Sequence, residues 1–266
     1  MQEQWKIWLT TVMYFTRIRV PSSIDHSPTY LQKAPRYLPA VGWLVGGISV
    51  LSFLAFSCWL SAETAILASM IAGMLVTGAF HEDGFADVCD GFGGGWTKDK
   101  ILLIMKDSRI GAYGAIGLMC MLGAKFLLLR ELFRWSPVNG GHAWNNPNLL
   151  LAMVAGHSLS RLMPVLAMRW SVNVTDVEHS KSGPVTGGGG VGMAELAPAT
   201  IFALAPFLFF PWYGLLVVLP VLGVTLGMLR WFRKWIGGYT GDCLGAIQQV
   251  AEIVVYLGLV AIWKST

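Results

Sequence analysis

A segment rich in aspartate, HEDGFADVCDG at residues 81–91, carries the side chains best suited to chemistry. Asp83 and Asp87 are four residues apart and Asp90 follows three residues later, so on a helix the three carboxylates share one face. Like charges at this spacing repel one another unless a cation lies among them, and hard oxygen ligands suit Mg²⁺, Ca²⁺ or Mn²⁺. The pattern predicts a divalent metal site at these aspartates. His81 is a candidate ligand, phosphate donor or base.

The alternative interpretation of this segment is an acidic turn exposed to solvent. The alignment of three aspartates, and flanking glycines that let a bulky ligand approach the backbone, favour the metal site. These glycines are Gly84, Gly91 and Gly93–Gly95.

A second polar segment, MKDSRIGAYG at residues 105–114, supplies cations. Lys106 and Arg109 suit phosphate oxygens, and arginine binds such oxygens through two parallel hydrogen bonds. Ser108 can donate from its hydroxyl, and Asp107 either orients Arg109 or joins the metal site. The alternative is a basic anchor beside the membrane.

A third segment, GGYTGDCLGA at residues 237–246, places Thr240 and Asp242 just before the last apolar stretch. Both are candidate ligand contacts, with helix capping as the alternative. Glu252 and Arg161 lie inside apolar stretches, where a charged side chain needs a partner. Arg161 is therefore a candidate partner of Glu252 or a contact to a ligand.

The composition indicates a membrane protein. Of the 266 residues 55% are hydrophobic and only 13% are charged, whereas soluble domains carry about 25% charged residues. Mean hydropathy is +0.57. The net charge of +4 is small, and no basic patch with interleaved aromatic residues indicates a nucleic-acid partner.

The apolar stretches predict an all-α, polytopic membrane bundle with about seven transmembrane helices, forming one catalytic domain over residues 1–266. In this interpretation the second helix runs directly into the acidic segment. The seven predicted spans are Leu38–Leu60, Thr64–Phe80, Gly111–Leu129, Leu149–Met168, Ala197–Phe210, Tyr213–Leu229 and Ala246–Trp263.

The distribution of basic residues predicts the orientation. Most of the 19 lysine and arginine residues fall on the side that holds the N-terminus, which the positive-inside rule assigns to the cytoplasm. The polar segments 81–110, 169–196 and 230–245 then share the cytoplasmic face. The glycine run Gly187–Gly190 in the middle segment is expected to be flexible.

Taken in order, HEDGFADVCDG, MKDSRIGAYGAIGL and GGYTGDCLGA resemble the cobalamin synthase family, the adenosylcobinamide-GDP ribazoletransferases. The segment YLPAVGWLVG at residues 37–46 resembles that family's entry to its first long helix. The acidic segment matches the family pattern H-x-D-G-x-A-D-x-x-D-G at His81, Asp83, Gly84, Ala86, Asp87, Asp90 and Gly91.

The resemblance implies a magnesium-dependent enzyme of the cell (inner) membrane. Its substrates would be adenosylcobinamide-GDP and α-ribazole or α-ribazole 5′-phosphate, and its products adenosylcobalamin or its 5′-phosphate and GMP. In these terms Asp83, Asp87 and Asp90 would hold Mg²⁺ on the diphosphate, with Asp242 as a further ligand. Lys106 and Arg109 would neutralise the departing GMP. The base would be an aspartate of the cluster or His81.

Two other functions fit parts of the pattern. A CDP-alcohol phosphotransferase of lipid synthesis also uses aspartate-rich helix ends, but its D-x-x-D-G-x-x-A-R pattern is not met, since Phe92 and Gly93–Gly95 follow Asp90-Gly91. A metal-ion transporter would need carboxylates near the membrane midplane. The sequence leaves the oligomeric state open, a homo-oligomer included.

Overall fold

The computed structural model describes residues 2–21, 27–134, 146–175 and 190–265, and these residues are almost entirely helical. The α-helices are α1 (Gln2–Phe15), α2 (Pro28–Lys33), α3 (Leu38–Ser57), α4 (Ala62–Thr77), α5 (Phe80–Gly94), α6 (Lys98–Met105), α7 (Ala112–Arg134), α8 (Pro147–Trp170), α9 (Met193–Leu204), α10 (Val218–Ile236) and α11 (Gly241–Ser265). Short 3₁₀ helices occupy Ala34–Tyr37, Ala205–Phe209 and Trp212–Val217. The predicted all-α class is confirmed.

Five helical stretches in the described ranges are long and apolar enough to cross a membrane, and they mark a multi-pass membrane protein. They are Pro28–Ser57, Ala112–Arg134, Pro147–Trp170, Trp212–Ile236 and Gly241–Lys264. The pair α4 and α5 adds a sixth if it counts as one bent span. The span predicted at residues 197–210 corresponds to a shorter apolar helix, Met193–Phe209. A count of seven crossings therefore stays a prediction.

The acidic segment does not continue the second predicted span, so that expectation was wrong. Helix α4 ends at Thr77, and α5 leaves it at an angle of 89°. Gly78 and Ala79 both adopt left-handed backbone angles, with φ of 67° and 56°. The Gly78 N–H donates to the carbonyls of Met74 and Leu75, which ends α4 in the manner typical of glycine. Holding Ala79 in this region costs about 1 kcal/mol or more.

Helix α8 lies at the centre of the bundle, where 72% of its most apolar window is buried. A Cβ at Gly42 of α3 would come within 2.8 Å of the Ser158 Cα, so α3 and α8 cross with their backbones almost in contact. On the opposite side, the Tyr256 ring of α11 packs against Gly156. By contrast, only 22% of the most apolar part of α7 is buried, and only 28% of that of Trp212–Ile236, which contains α10. Helices α7 and α10 therefore form the periphery, with apolar side chains suited to lipid.

One end of the bundle gathers the polar segments. The Val174 N–H donates to the Tyr239 carbonyl at 2.9 Å, and the Tyr239 N–H donates to Val172 at 2.9 Å, which ties the exit of α8 to the entry of α11. Arg36 pairs with Glu195 at 2.7 Å between the starts of α3 and α9. The described parts of the three predicted cytoplasmic segments thus lie together. Of the glycine run, 187–189 falls outside the described residues.

Candidate active site

One side of α5 carries Asp83, Asp87 and Asp90 at the polar end of the bundle. We call this surface the carboxylate face. Helix α5 is continuous from Phe80 to Gly94, so the spacing of four and three residues does align the three side chains. Asp83 is exposed, and Asp87 and Asp90 are half-buried. Buried residues of α5 such as Glu82 and Val88 pack into the bundle, whereas the carboxylate face lies next to the starts of α7 and α11.

Asp90 has a structural role as well. Its carboxylate oxygens accept hydrogen bonds from the Gly111 N–H at 2.7 Å and the Gly114 N–H at 2.8 Å. These groups lie at the start of α7, where the backbone N–H groups have no partner within the helix. A Cβ at either glycine would collide with the Asp90 carboxylate. Asp90 therefore fixes the start of α7 against α5; its predicted contact to a metal stays a prediction.

Asp242 approaches the same face through a close helix crossing. A Cβ at Gly84 would lie 2.9 Å from the Asp242 Cα, and a Cβ at Gly245 would lie 3.2 Å from the His81 carbonyl oxygen. The first turn of α11 thus crosses α5 at Gly84, between Asp83 and Asp87 in the chain. Asp242 also lies in the first turn of α11, where the helix dipole favours a negative charge.

Thr240 is buried and caps α11. Its hydroxyl accepts a hydrogen bond from the Cys243 N–H at 3.3 Å, and its side chain has 2% exposure. This is the capping alternative that the sequence left open, and a contact between Thr240 and substrate stays a prediction.

The predicted phosphate-binding loop lies beside the carboxylate face, because it leads directly into Gly111, which is bound to Asp90. Lys106, Ser108 and Arg109 are exposed. The Arg109 guanidinium donates to both oxygens of Asp107, at 3.0 Å from Nε and 2.7 Å from Nη2. These hydrogen bonds lower the pKa of the Asp107 carboxyl to about 2. Asp107 thus orients Arg109, the first of its two predicted roles.

His81 lies on a different side of α5 from the aspartates. It is buried, with 3% exposure, and its ring stacks edge-on against Phe80 with centroids 5.4 Å apart. It lines a pocket between α1, α5, α8 and α11 rather than the open carboxylate face.

A buried polar network crosses the bundle behind α5. We define it as Glu82, Lys125, His157, Arg161, Gln248, Gln249, Glu252 and Tyr256. At its centre, Glu252 pairs with Lys125 at 3.3 Å and accepts from the Tyr256 hydroxyl at 3.0 Å. His157 Nδ1 lies 3.5 Å from the same carboxylate. Four helices therefore meet at polar contacts inside an otherwise apolar bundle.

Arg161 belongs to this network and is only 2% exposed. Its Nη1 contacts His157 Nδ1 at 3.2 Å and donates to the His157 carbonyl at 2.9 Å. Arg161 therefore reaches Glu252 through His157, while Lys125 is the direct partner. The Arg161 Nε has no hydrogen-bond partner among the described residues.

Glu82 is also part of the network. It accepts a hydrogen bond from Gln249 Nε2 at 3.0 Å, and Gln249 in turn accepts from Lys125 at 3.0 Å. This chain of contacts fixes α5 relative to α7 and α11. Gln249 and Lys125 were missed by sequence reasoning, although both are polar residues within apolar stretches, which is the available signal.

Within the described ranges, no group of three or more aspartate, glutamate, histidine or cysteine side chains is gathered into a ready-made metal site. The carboxylate face is instead a row of acidic side chains along one side of α5, of which Asp83 is exposed. Such an arrangement can supply one or two ligands to a cation whose other ligands come from a phosphorylated substrate and water.

Comparison with known proteins gives a consistent result. The profile of the family described as cobalamin-5-phosphate synthase matches residues 7–260. A protein of Shewanella piezotolerans named adenosylcobinamide-GDP ribazoletransferase is 39% identical over 264 residues, which cover 99% of this chain and 98% of the relative. A protein of the same name from Leptospira interrogans is 39% identical, covering 100% and 98%. One from Shewanella pealeana is 41% identical, covering 99% and 98%. No solved structure matches the chain.

Proposed function

Since the chain belongs to the cobalamin-5-phosphate synthase family, we propose that it is an adenosylcobinamide-GDP ribazoletransferase. It transfers the adenosylcobinamide-phosphate moiety of adenosylcobinamide-GDP to α-ribazole or α-ribazole 5′-phosphate and releases GMP. The reaction is the final assembly step of the nucleotide loop in cobalamin biosynthesis. The relatives that carry this name align over nearly their whole length and this whole chain.

We place the reaction at the carboxylate face because of the position of its aspartates. Asp83 is exposed at the polar end of the bundle, and the crossing at Gly84 brings Asp242 to the same helix. The donor carries a diphosphate, whose negative charge these aspartates would repel without a cation. Proteins bind Mg²⁺ through one or two carboxylates together with substrate phosphates, and this donor set fits that mode.

We assign Asp83 and Asp87 as the residues that would hold Mg²⁺, with Asp90 and Asp242 as further candidates. When bound, the ion would neutralise charge on the diphosphate and on the departing GMP. Lys106 and Arg109 extend from the adjacent loop and bind phosphate oxygens, and Asp107 keeps the Arg109 guanidinium oriented for this contact.

The acceptor's hydroxyl attacks the phosphorus nearest the cobinamide, and the bond from that phosphorus to the bridging oxygen of GMP breaks. The proton of the hydroxyl passes to an aspartate of the carboxylate face. We favour an aspartate over His81 as the base, because His81 is buried on another side of α5. In phosphoryl transfer, positioning and charge stabilisation supply most of the catalysis.

The test is release of GMP from adenosylcobinamide-GDP and α-ribazole by the purified protein in detergent or lipid. We expect release with Mg²⁺ and its loss on adding a chelator, with recovery when Mg²⁺ is restored. Release of CMP from a CDP-alcohol instead would identify the lipid-synthesis alternative. Turnover that is insensitive to chelator would refute the metal proposal while leaving the transfer reaction intact.

We further propose that the carboxylate face lies on the cytoplasmic side of the cell (inner) membrane, following the bias in basic residues. The exposed Ser108 beside the face allows a test. In a variant whose native cysteines are replaced by alanine, Ser108→Cys should react with a membrane-impermeant maleimide in inside-out vesicles and not in right-side-out ones. The reverse labelling pattern would overturn the orientation.

A further inference from the structure

The pocket that His81 lines lies where α5 and α11 cross, and we call it the aromatic pocket. It is a narrow cavity with an accessible interior of about 30 Å³, so a planar ligand enters only if the lining side chains move apart. Its walls come from α1, α3, α5, α8 and α11. The lining side chains that matter here are Tyr14, Phe15, Phe80, His81, Met168 and Leu244.

The aromatic pocket is built from rings that already contact one another. Phe15 and Phe80 pack edge to face with centroids 5.9 Å apart, and Tyr14 packs against Phe15 at 4.8 Å. Phe80 extends the cluster to the His81 ring at 5.4 Å. Edge-to-face rings of this kind form walls that favour a further planar ring.

His81 supplies a polar group in this apolar setting. It is 3% exposed, and it lines the aromatic pocket. The other lining side chains are apolar except for the Tyr14 phenol. The pocket therefore suits a ligand that is mostly apolar and aromatic, with few polar atoms.

The aromatic pocket and the carboxylate face lie at the same helix crossing. Gly241 and Gly245 line the pocket, and Asp242 follows Gly241 on the side of α11 that meets Gly84. His81 and Asp83 are two residues apart and point to nearly opposite sides of α5, so the pocket connects to the carboxylate face through Asp242. A ligand seated in the pocket can thus extend its polar end toward Asp242.

The chemistry of the substrates in the proposed reaction selects among the possible occupants. The corrin ring of the donor is far larger than the pocket. Guanine carries several hydrogen-bonding groups along its edges, and apolar walls with one imidazole and one phenol would leave most of them unpaired. The dimethylbenzimidazole base of α-ribazole is planar and apolar apart from its ring nitrogens.

We propose that the aromatic pocket binds the benzimidazole base of the acceptor nucleoside, between the ring cluster of Tyr14, Phe15 and Phe80 and the side chains of Met168 and Leu244. This inference rests on the proposed function. The ribose of the acceptor then points toward Asp242 at the edge of the carboxylate face, where its hydroxyl meets the phosphorus of the donor.

The first test compares Phe80→Leu with a matched control, Phe92→Leu. Phe92 is on the same helix and half-buried, but it stacks on Trp231 at 4.3 Å, outside the pocket. Because stacking of a base on an aromatic ring contributes about 1–3 kcal/mol, we expect Phe80→Leu to raise the KM for α-ribazole about tenfold and to leave the KM for adenosylcobinamide-GDP unchanged. The control should change neither value. An unchanged KM for α-ribazole, or an equal rise in both, would overturn the proposal.

A second test uses the unaltered protein, so it does not depend on how a variant folds. Free 5,6-dimethylbenzimidazole should inhibit GMP release competitively with α-ribazole, whereas guanine should not inhibit in this way. Leu244→Trp, which fills the pocket, should weaken that inhibition by the free base. Absence of inhibition, or competition with the donor alone, would count against the pocket.

Equilibrium binding separates failure of this inference from failure of the proposed function. Titration calorimetry of the purified protein with free 5,6-dimethylbenzimidazole requires no turnover. Binding that is lost in Leu244→Trp, in a protein that releases no GMP, would support the pocket and refute the reaction. GMP release without any binding of the base would do the opposite.

Discussion

Neighbouring residues of α5 belong to two regions with opposite surroundings. Glu82 is buried and takes part in the buried polar network, in which Lys125 and Gln249 connect it to Glu252. Asp83 follows it directly, yet Asp83 is exposed, and the described part of the chain forms no ion pair with it. The α-helix produces this contrast, since adjacent residues point about 100° apart.

The comparison shows that the environment of a carboxylate determines whether it stabilises the fold or remains available to a ligand. The buried polar network provides its acids with protein cations and hydrogen-bond donors, which a charge in a membrane bundle requires. Those contacts hold α5, α7, α8 and α11 together. The carboxylate face keeps its acids at the polar end, where a cation can arrive with a substrate. If the two regions are separate, changes in the carboxylate face should lower turnover, and changes in the buried polar network should lower stability.

The largest expected effect is loss of turnover in Asp83→Asn and in Asp87→Asn. Each change removes a negative charge from the carboxylate face while keeping the size of the side chain. Because loss of one strong transition-state contact lowers kcat by about 10²–10³, we expect GMP release to fall at least about a hundredfold. The thermal unfolding temperature and the membrane yield of Asp83→Asn should not change, since Asp83 is exposed.

Asp99→Asn is the control for these variants, since Asp99 is an exposed acid in the first turn of α6. It should retain full activity. Turnover close to wild type in either Asp83→Asn or Asp87→Asn would show that the carboxylate face is not the site of metal binding.

Substitutions in the buried polar network should lower the stability of the protein. Lys125→Met leaves Glu252 without its direct cationic partner. Removing one member of a buried pair costs about 3–5 kcal/mol of unfolding free energy, measured here by thermal or denaturant unfolding in detergent. Combining it with Glu252→Leu should recover part of the loss, because no unpaired charge remains. Lys33→Met is the control, since the Lys33–Glu3 pair is exposed, and it should have no measurable effect.

Sequence patterns predicted the all-α membrane class, the shared face of the three aspartates and the gathering of the polar segments at one end. The break after Thr77 escaped prediction because Ala79, a residue that favours helices, adopts a left-handed conformation only when tertiary contacts impose it. The sequence also could not predict which basic residue pairs with Glu252. Lys125 and Arg161 both lie in apolar stretches, and only the rotation of α7 and α8 about their axes decides which of them reaches the carboxylate.

Asp90 allows a sharper test, because it combines a position on the carboxylate face with hydrogen bonds to Gly111 and Gly114. Asp90→Ala removes both acceptors and should destabilise the protein by about 1–2 kcal/mol, the usual cost of a lost helix cap. Asp90→Asn keeps one oxygen acceptor. If Asp90 serves only to fix α7, Asn should recover most of the stability and most of the activity. Recovery of stability without activity would instead identify Asp90 as a metal ligand.

The smallest expected effect concerns the loop beside the face. Asp107→Asn removes the carboxylate that orients Arg109. Because an exposed ion pair contributes little free energy, the KM for adenosylcobinamide-GDP should rise only about two- to fivefold, with kcat unchanged. The pKa of Asp107 is lowered to about 2, so the charged pair is present at higher pH and is lost only as pH falls through about 2. The effect of this variant on KM should therefore be the same at pH 6 and pH 8. A difference that grows across this range would mean that another titrating group controls Arg109.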